Sequence, residues 1–375
     1  MDLTRFSEDK TLAQKLLTQI NSMIDPALVH KGGVDRNINF MEVCGTHTMA
    51  ISSSGIRRAV DKRLKLLSGP GCPVCVTSQE DIDLAISLAS PKNVIIVTFG
   101  DMMRVPGSDS SLEKEKAKGK DIRVAYSALD GLKIAQTEKS KKIVFLGVGF
   151  ETTAPTIAAA LLIAKESKVN NFFILPLFKL IPPALRKIAS ASELKIDGFI
   201  LPGHVSTVIG SKPYEFLAKD FNKPCVIAGF ETLDILQALH ILLTQLRTIP
   251  KVEIQYRRSV KPEGNVQAQK VMHQVFAETD SNWRGIGNIE KSGLVFNPEF
   301  RSFDANLHFG LKPKKPKINP ACRCGDVLLG LIVPTKCKQF AKACTPEHPI
   351  GPCMVSSEGA CAAYYKHEWL SHSRD

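Results

Sequence analysis

The chain's 375 residues exceed one average domain, and 44% hydrophobic content is enough for a sizeable core. A formal net charge of +12 suits an acidic partner or nucleic acid. The lysines, however, sit in polar runs (Glu113–Lys120, Lys139–Lys142, Lys312–Lys317) with little aromatic interleaving, so solvated faces and an acidic protein partner are expected and nucleic acid is not. The charged N-terminus (Asp2, Arg5, Glu8, Asp9, Lys10) precedes no apolar run of signal-peptide length, and the longest apolar stretches are too short to span a bilayer. A cytoplasmic protein off the membrane is expected, with thiols kept reduced or bound to metal.

Leu12, Leu16, Ile20 and Met23 recur at helical spacing over residues 11–25, and Asp25-Pro26 stops that helix. A polar loop with Gly32-Gly33 leads to a short strand at 39–43, then to Cys44-Gly45-Thr46-His47 and an apolar helix start. A second strand, 64–67, runs into Gly69-Pro70-Gly71-Cys72-Pro73-Val74-Cys75. The next helix begins near Ser78, where Glu80, Asp81 and Asp83 suit its N-terminal dipole. A third strand, 94–99, ends at Gly100-Asp101, and the polar stretch 108–120 reads as a surface connection.

The pattern then restarts. A strand at 143–148 ends in Gly149-Phe150-Glu151-Thr152-Thr153, with an alanine-rich helix behind it. Further strands are predicted at 172–175, 199–201 and 225–228; the second of these leads to Pro202-Gly203-His204-Val205-Ser206 and the third to Gly229-Phe230-Glu231-Thr232. A helix at 233–246, a strand at 252–256 and a helix at 265–277 follow. Strands alternating with helices predict α/β architecture with two similar Rossmann-like parallel-sheet domains, 30–115 and 116–245. Residues 246–375, joined by 1–29, form the third unit. FMEVCGTHTMAI echoes FLGVGFETTAPTI, and LLSGPGCPVCV echoes FILPGHVSTVI, which suggests a duplication.

Six of the ten cysteines crowd the last fifth of the chain: Cys322, Cys324, Cys337, Cys344, Cys353 and Cys361. Glycine and proline punctuate this tract, so it is not one helix. Loop-spaced thiols suit an iron–sulfur cluster. Structural zinc is the rival, although it usually shows two short CxxC-type knuckles. Scattered core thiols are the plain alternative.

In an open parallel sheet, ligands bind at the carboxyl ends of the strands. Cys44 with His47, the Cys72–Cys75 pair and Asp101 are therefore expected to converge on one edge. A thiolate and an imidazole three residues apart can bind a soft or borderline metal, or act as nucleophile and base; a buried Cys beside a hydrogen-bonded His is the alternative. The helix N-terminus favours Cys44 thiolate. CPVC reads as a redox dithiol or as half a zinc site. His204 is a candidate crevice residue or a structural histidine, and Cys225 a core residue. Glu151 and Glu231 line the second crevice or cap helices.

Taken together, FMEVCGTHTMAI, GPGCPVCVT, FGDMMRVPG, GFETTAPT, PGHVS and GPCMVSSEGACAAYY resemble the HypD family of [NiFe] hydrogenase maturation proteins, over residues 36–366. The resemblance implies two similar α/β domains and a C-terminal iron–sulfur domain. The family spacing C-x12-C-x6-C-x16-C falls on Cys324, Cys337, Cys344 and Cys361 as ligands of a [4Fe-4S] cluster. It implies Cys44, with His47 beside it, as the ligand of an iron carrying CN and CO, and Cys72 with Cys75 as a redox dithiol. The Fe(CN)2(CO) group would be assembled with a HypC-type small chaperone and a HypE-type cyanide donor before transfer to the hydrogenase large subunit. A free-standing [4Fe-4S]-dependent disulfide reductase and a zinc-stabilised interaction module remain as other readings.

Overall fold

The computed structural model describes residues 3–370 apart from 26, 27, 29, 32 and 33. The expected stop at Pro26 and the Gly32-Gly33 loop lie outside the described residues. Helix α1 spans Leu3–Ser22. The strands of the two parallel sheets are β1 (Ile38–Glu42), β2 (Leu64–Ser68), β3 (Val94–Thr98), β4 (Ile122–Val124), β5 (Lys142–Gly149), β6 (Phe172–Phe178), β7 (Gly198–Pro202), β8 (Cys225–Ala228) and β9 (Val252–Ile254). One sheet runs in the order β9-β8-β7-β1-β2 and the other in the order β4-β3-β5-β6.

The α/β class and parallel pairing are as expected, but sheet membership is not sequential. After β2 the chain leaves the first sheet, builds the whole second sheet, and returns at β7 to pair with β1. The strand before Asp101 therefore belongs to the second sheet, and β7, β8 and β9 belong to the first. This cuts across the expected boundary between 30–115 and 116–245. The echo between LLSGPGCPVCV and FILPGHVSTVI does not relate two sheets either, because β2 and β7 flank β1 in one sheet. The physical reason is that β3, β5 and β7 are buried on both faces and read as near-uniform apolar runs, which mark a strand without marking its neighbour.

Helix α2 (Gly45–Ser54) starts at Cys44, whose extended backbone (φ −154°, ψ 128°) marks the cap position. It ends at Gly55, whose left-handed φ of 74° favours glycine. Helix α3 (Gln79–Ser87) is capped by Ser78, whose hydroxyl accepts from the Asp81 amide at 3.1 Å. Helices α4 (Ala154–Glu166) and α5 (Ile181–Ser190) follow β5 and β6, each with proline in its first turn. Helix α6 (Thr232–Gln245) covers the first sheet, and α1 packs on it through Ile20 and Ile24. The expected grouping of residues 1–29 with the C-terminal region thus gives way to a place on the first sheet. Helix α7 (Val266–Val275) leads into an antiparallel hairpin, β10 (Phe276–Trp283) and β11 (Gly287–Phe296).

One apolar core joins both sheets to the cysteine tract: Met41, Ile96, Val144, Phe199 and Trp283 share it with Cys72, Cys75, Cys324, Cys353 and Cys361. Two buried ionic groups cross the same seam. The Lys179 ammonium, 2% exposed, reaches the Asp81 carboxylate at 3.1 Å and the Ser281 hydroxyl at 2.6 Å. Arg57 pairs with the fully buried Glu42, lies 3.2 Å from Glu368, and stacks 4.7 Å above the Tyr364 ring. The Ser68 hydroxyl also donates to Glu42, at 3.1 Å. The C-terminal segment is thereby fastened to β1. No helix among the described residues is long and apolar enough to cross a membrane.

Removing one member of a buried ion pair strands the other charge and costs about 3–5 kcal/mol. Arg57→Leu should lower unfolding stability by about that amount. Glu42→Leu combined with Arg57→Leu should recover most of the loss in denaturant titration.

Candidate functional site

The carboxyl ends of both sheets meet in a cleft of about 400 Å³. Cys44 and Thr46 enter it from the β1–α2 turn, Gly71 and Pro73 from behind β2, and His204 and Thr207 from behind β7. Thr152 and Thr153 come from the second sheet, and Glu358 from the C-terminal tract. Two glycines allow the backbones to close this tightly. A Cβ on Gly71 would overlap the Cys44 amide, and one on Gly45 would overlap the Glu358 backbone.

The backbone amides of Thr46 and His47 and the Thr46 side chain lie beside the Cys44 sulfur and favour its anion. Burial and the nearby Glu358 carboxylate nevertheless push its thiol up to about 11. The expected thiolate is therefore not formed by the helix terminus alone, because desolvation outweighs two amide dipoles. Those groups favour the anion without overcoming the cost of its burial.

His47 is fully buried and stacks on Phe230 at 4.8 Å. Its Nε2 donates to the carbonyl oxygens of Gly229 (2.9 Å) and Ala228 (3.2 Å), which fixes the tautomer and leaves Nδ1 without a protein partner. Burial holds the ring neutral by lowering its pKa to about 4. It is a poor base for Cys44, and its proton-bearing nitrogen is committed to the end of β8. His204, exposed in the cleft, stacks on the other side of the same Phe230 at 4.0 Å. Asp101 does not join Cys44. It approaches from the second sheet and accepts from the Ser356 hydroxyl at 2.7 Å, steadying the loop that carries Glu358. Glu358 in turn accepts from the Thr46 hydroxyl at 2.7 Å. Its signal in the sequence is a Ser-Ser-Glu interruption between Cys353 and Cys361.

Behind Cys44, Cys72 caps the short turn Pro73–Val76 and its sulfur accepts from the Cys75 amide at 3.3 Å. The two sulfurs are 2.7 Å apart. A disulfide spans about 2.05 Å, so oxidation needs only a small approach. The hairpin tip clamps this turn: the Arg284 amide donates to Val76 at 2.8 Å and its Nε to the Thr77 carbonyl at 2.9 Å. Cys353 is a close neighbour of Cys75 on one side and of Cys324 and Cys361 on the other. The Cys353 thiol, 0% exposed, is thus the inner link between the CPVC turn and the rest of the tract.

Cys322, Cys324, Cys337, Cys344 and Cys361 line one apolar void. A Cβ on Gly351 would fill part of it and overlap the Cys322 sulfur. These thiols surround a space instead of converging on a point, and among the described residues no three His, Cys, Asp or Glu side chains are set to hold a single ion. A lining of loop-spaced thiols has the chemistry to hold an iron–sulfur cluster. Cys322 shares the void with the four sulfurs that the family spacing selects.

Cys225 is fully buried in β8, where burial pushes its thiol up, as suits a core residue. Glu231 caps α6. Glu151 accepts from the Ile181 amide at 2.9 Å, capping α5, while its second oxygen is buried without a partner. It borders a larger groove of about 860 Å³ that contains no cysteine.

Fold and site together define a thiol-rich parallel α/β protein, with a lone thiol, a dithiol and a thiol-lined void gathered along one seam. Residues 11–368 match the HypD family, described as the hydrogenase formation hypA family. The chain is 43% identical to hydrogenase maturation factor HypD of Escherichia coli over 365 residues, 97% of this chain and 98% of that one. It is 44% identical over 368 residues to the HypD of Cupriavidus necator, covering 96% and 95%. It is 42% identical over 360 residues to a putative hydrogenase expression/formation protein of Methanocaldococcus jannaschii, covering 96% and 98%. The chain belongs to the HypD family.

Burial raises the Glu151 carboxyl from 4.5 to about 7. A carboxyl whose folded pKa lies above its unfolded value favours folding below about 4.5, and that advantage disappears as the pH rises through about 7. Glu151→Gln keeps an acceptor for Ile181 and removes the titration. It should match the wild type near pH 4.5 and exceed it by about 3 kcal/mol at pH 8, read by denaturant unfolding at both pH values.

Proposed function

We propose that this chain is a hydrogenase maturation factor, on which an Fe(CN)2(CO) group is assembled before transfer to the hydrogenase large subunit. The observation that carries the reading is Cys44 at the base of an open cleft, with donors already aimed at its sulfur and the Cys72–Cys75 pair directly behind. Iron bearing cyanide and carbonyl is electron-rich, and thiolate is the protein ligand that suits it. The amides of Thr46 and His47 offset part of the cost of a buried anion. His47 acts by holding the turn against β8. A HypC-type chaperone would dock over the cleft and complete the iron's ligands, with a HypE-type partner supplying cyanide.

The tract would hold a [4Fe-4S] cluster through Cys324, Cys337, Cys344 and Cys361, and the void these residues line supports that placement. The cluster, when bound, supplies one-electron chemistry. Cys72 and Cys75 store two electrons as a dithiol, and Cys353 keeps the pair in sulfur contact with the tract. All ten cysteines are free thiols, which suits a reducing cytoplasm. A free-standing disulfide reductase is the less favoured alternative, because Cys72 and Cys75 are 3% and 0% exposed and an external disulfide cannot reach them.

Cys44→Ala should leave fold and iron–sulfur absorbance intact while abolishing the infrared bands of cyanide and carbonyl in the co-purified chaperone complex. Unchanged bands would place the iron elsewhere. Alanine at Cys324, Cys337, Cys344 or Cys361 should each bleach the cluster, while Cys322→Ala and Cys353→Ala retain it. Loss on Cys322→Ala with retention on Cys324→Ala would exchange those two in the ligand set.

A further inference from the structure

The chain's positive charge is concentrated at one edge of the thiol-lined void. Residues 312–342 carry eight basic side chains against one acidic, Asp326, a net +7 within the chain's +12. That acid is paired with Arg323. Of the six cysteines in the tract, Cys322 and Cys337 are the two that are not buried. Each is flanked by cations, Cys322 by Arg323 and Cys337 by Lys336 and Lys338. The basic strap 312–317 runs beside them and is exposed at Lys312, Lys314, Lys315 and Lys317. Its end lines a cleft of about 710 Å³ whose floor includes Cys322 and Cys324 and whose wall includes Arg284. The Cys44 cleft lies at the far end of the row of sulfurs and is lined by different residues.

We propose that this basic edge is a docking surface for a small acidic electron-carrier protein that delivers one electron per encounter at the Cys322/Cys337 side. The inference rests on the cluster reading above. Solvent-exposed like charges around the least buried sulfurs raise the local concentration of an oppositely charged partner and orient it, an effect that appears in association rate and salt dependence. The chemistry requires repeated docking. Returning a Cys72–Cys75 disulfide to two thiols consumes two electrons and two protons, so two reduced carriers must each bind, give up one electron and leave oxidised. A dense but fully exposed cationic patch permits that exchange, because its ion pairs are weak one by one and screened by salt.

The test uses the full-length chain and, as probe, an acidic plant-type [2Fe–2S] ferredoxin. Binding of the oxidised ferredoxin is measured by calorimetry from 10 to about 200 mM salt. Iron content and visible absorbance of each sample are recorded alongside. Association should weaken at least tenfold across that salt range. Lys312→Glu/Lys314→Glu/Lys315→Glu and Lys336→Glu/Lys338→Glu should each weaken low-salt binding about tenfold, and Lys133→Glu/Lys139→Glu, on the helix Ala128–Thr137 and the turn after it, less than twofold. With reduced ferredoxin, the two basic-edge variants should also slow bleaching of the visible absorbance, while dithionite bleaches all variants alike. Absence of binding, or equal loss in the Lys133/Lys139 control, overturns the docking surface even when iron is present. Binding as expected in a chain that holds no iron overturns electron delivery and the cluster reading, and leaves only an acidic-partner site.

Discussion

Everything in this structure depends on three loops being brought into backbone contact. The CGTH turn, the GPGC turn and the SEG segment belong to β1, β2 and the C-terminal tract, and they meet where a single Cβ would hold them apart. Gly71 lies on the Cys44 amide and Gly45 lies on Glu358. The approach buries Cys44 almost completely while leaving its sulfur at the base of an open cleft. It also carries a carboxylate, Glu358, into the same space. The rise in the Cys44 thiol pKa is the electrostatic consequence of that closeness, and the amides of Thr46 and His47 are its partial offset.

The same compaction explains the form of the polar network. Charges that cross the seam are few and strongly held: Lys179 between Asp81 and Ser281, and Arg57 between Glu42 and Glu368. Buried pairs of this kind add little net stability relative to apolar packing, but they penalise any arrangement that separates the partners. Here the partners come from both sheets, the hairpin and the C-terminal segment, so the ion pairs fix the geometry of the seam. The sulfurs fill the space between them with small, polarizable groups.

Much of this was legible in the chain. The strands at β1, β2, β3, β5, β7 and β8 stand as apolar runs ending in glycine or proline turns, and the residues behind β1, β2, β5 and β7 line the cleft or form the dithiol. What could not be read was the pairing of runs that are apolar on both faces. Asp101 was therefore grouped with Cys44, although it faces Ser356 from the other sheet. The helix Ala128–Thr137 carries a readable sign, Ser127 and Asp130 in a capping box, beyond the polar stretch 108–120 that reads as a connection. The hairpin was hidden for the opposite reason: β10 reads FAETDSNW, and only its end residues Phe276 and Trp283 are buried. Glu358 was invisible because its role comes from the fold of a tract whose cysteines dominate the pattern.

The split first sheet also shapes how the protein is made. β1 and β2 leave the ribosome with Cys44, Cys72 and Cys75 already attached, yet the neighbour of β1 on its other side, β7, is not synthesised until the entire second sheet has emerged. At typical synthesis rates that interval is on the order of ten seconds. Throughout it the three thiols stand on an unfinished edge, open to solvent, oxidants and stray metal ions. The interwoven order of strands therefore leaves the nascent chain most vulnerable at the thiols on which the proposed function rests, and ties its yield to the reducing power of the compartment in which it is translated.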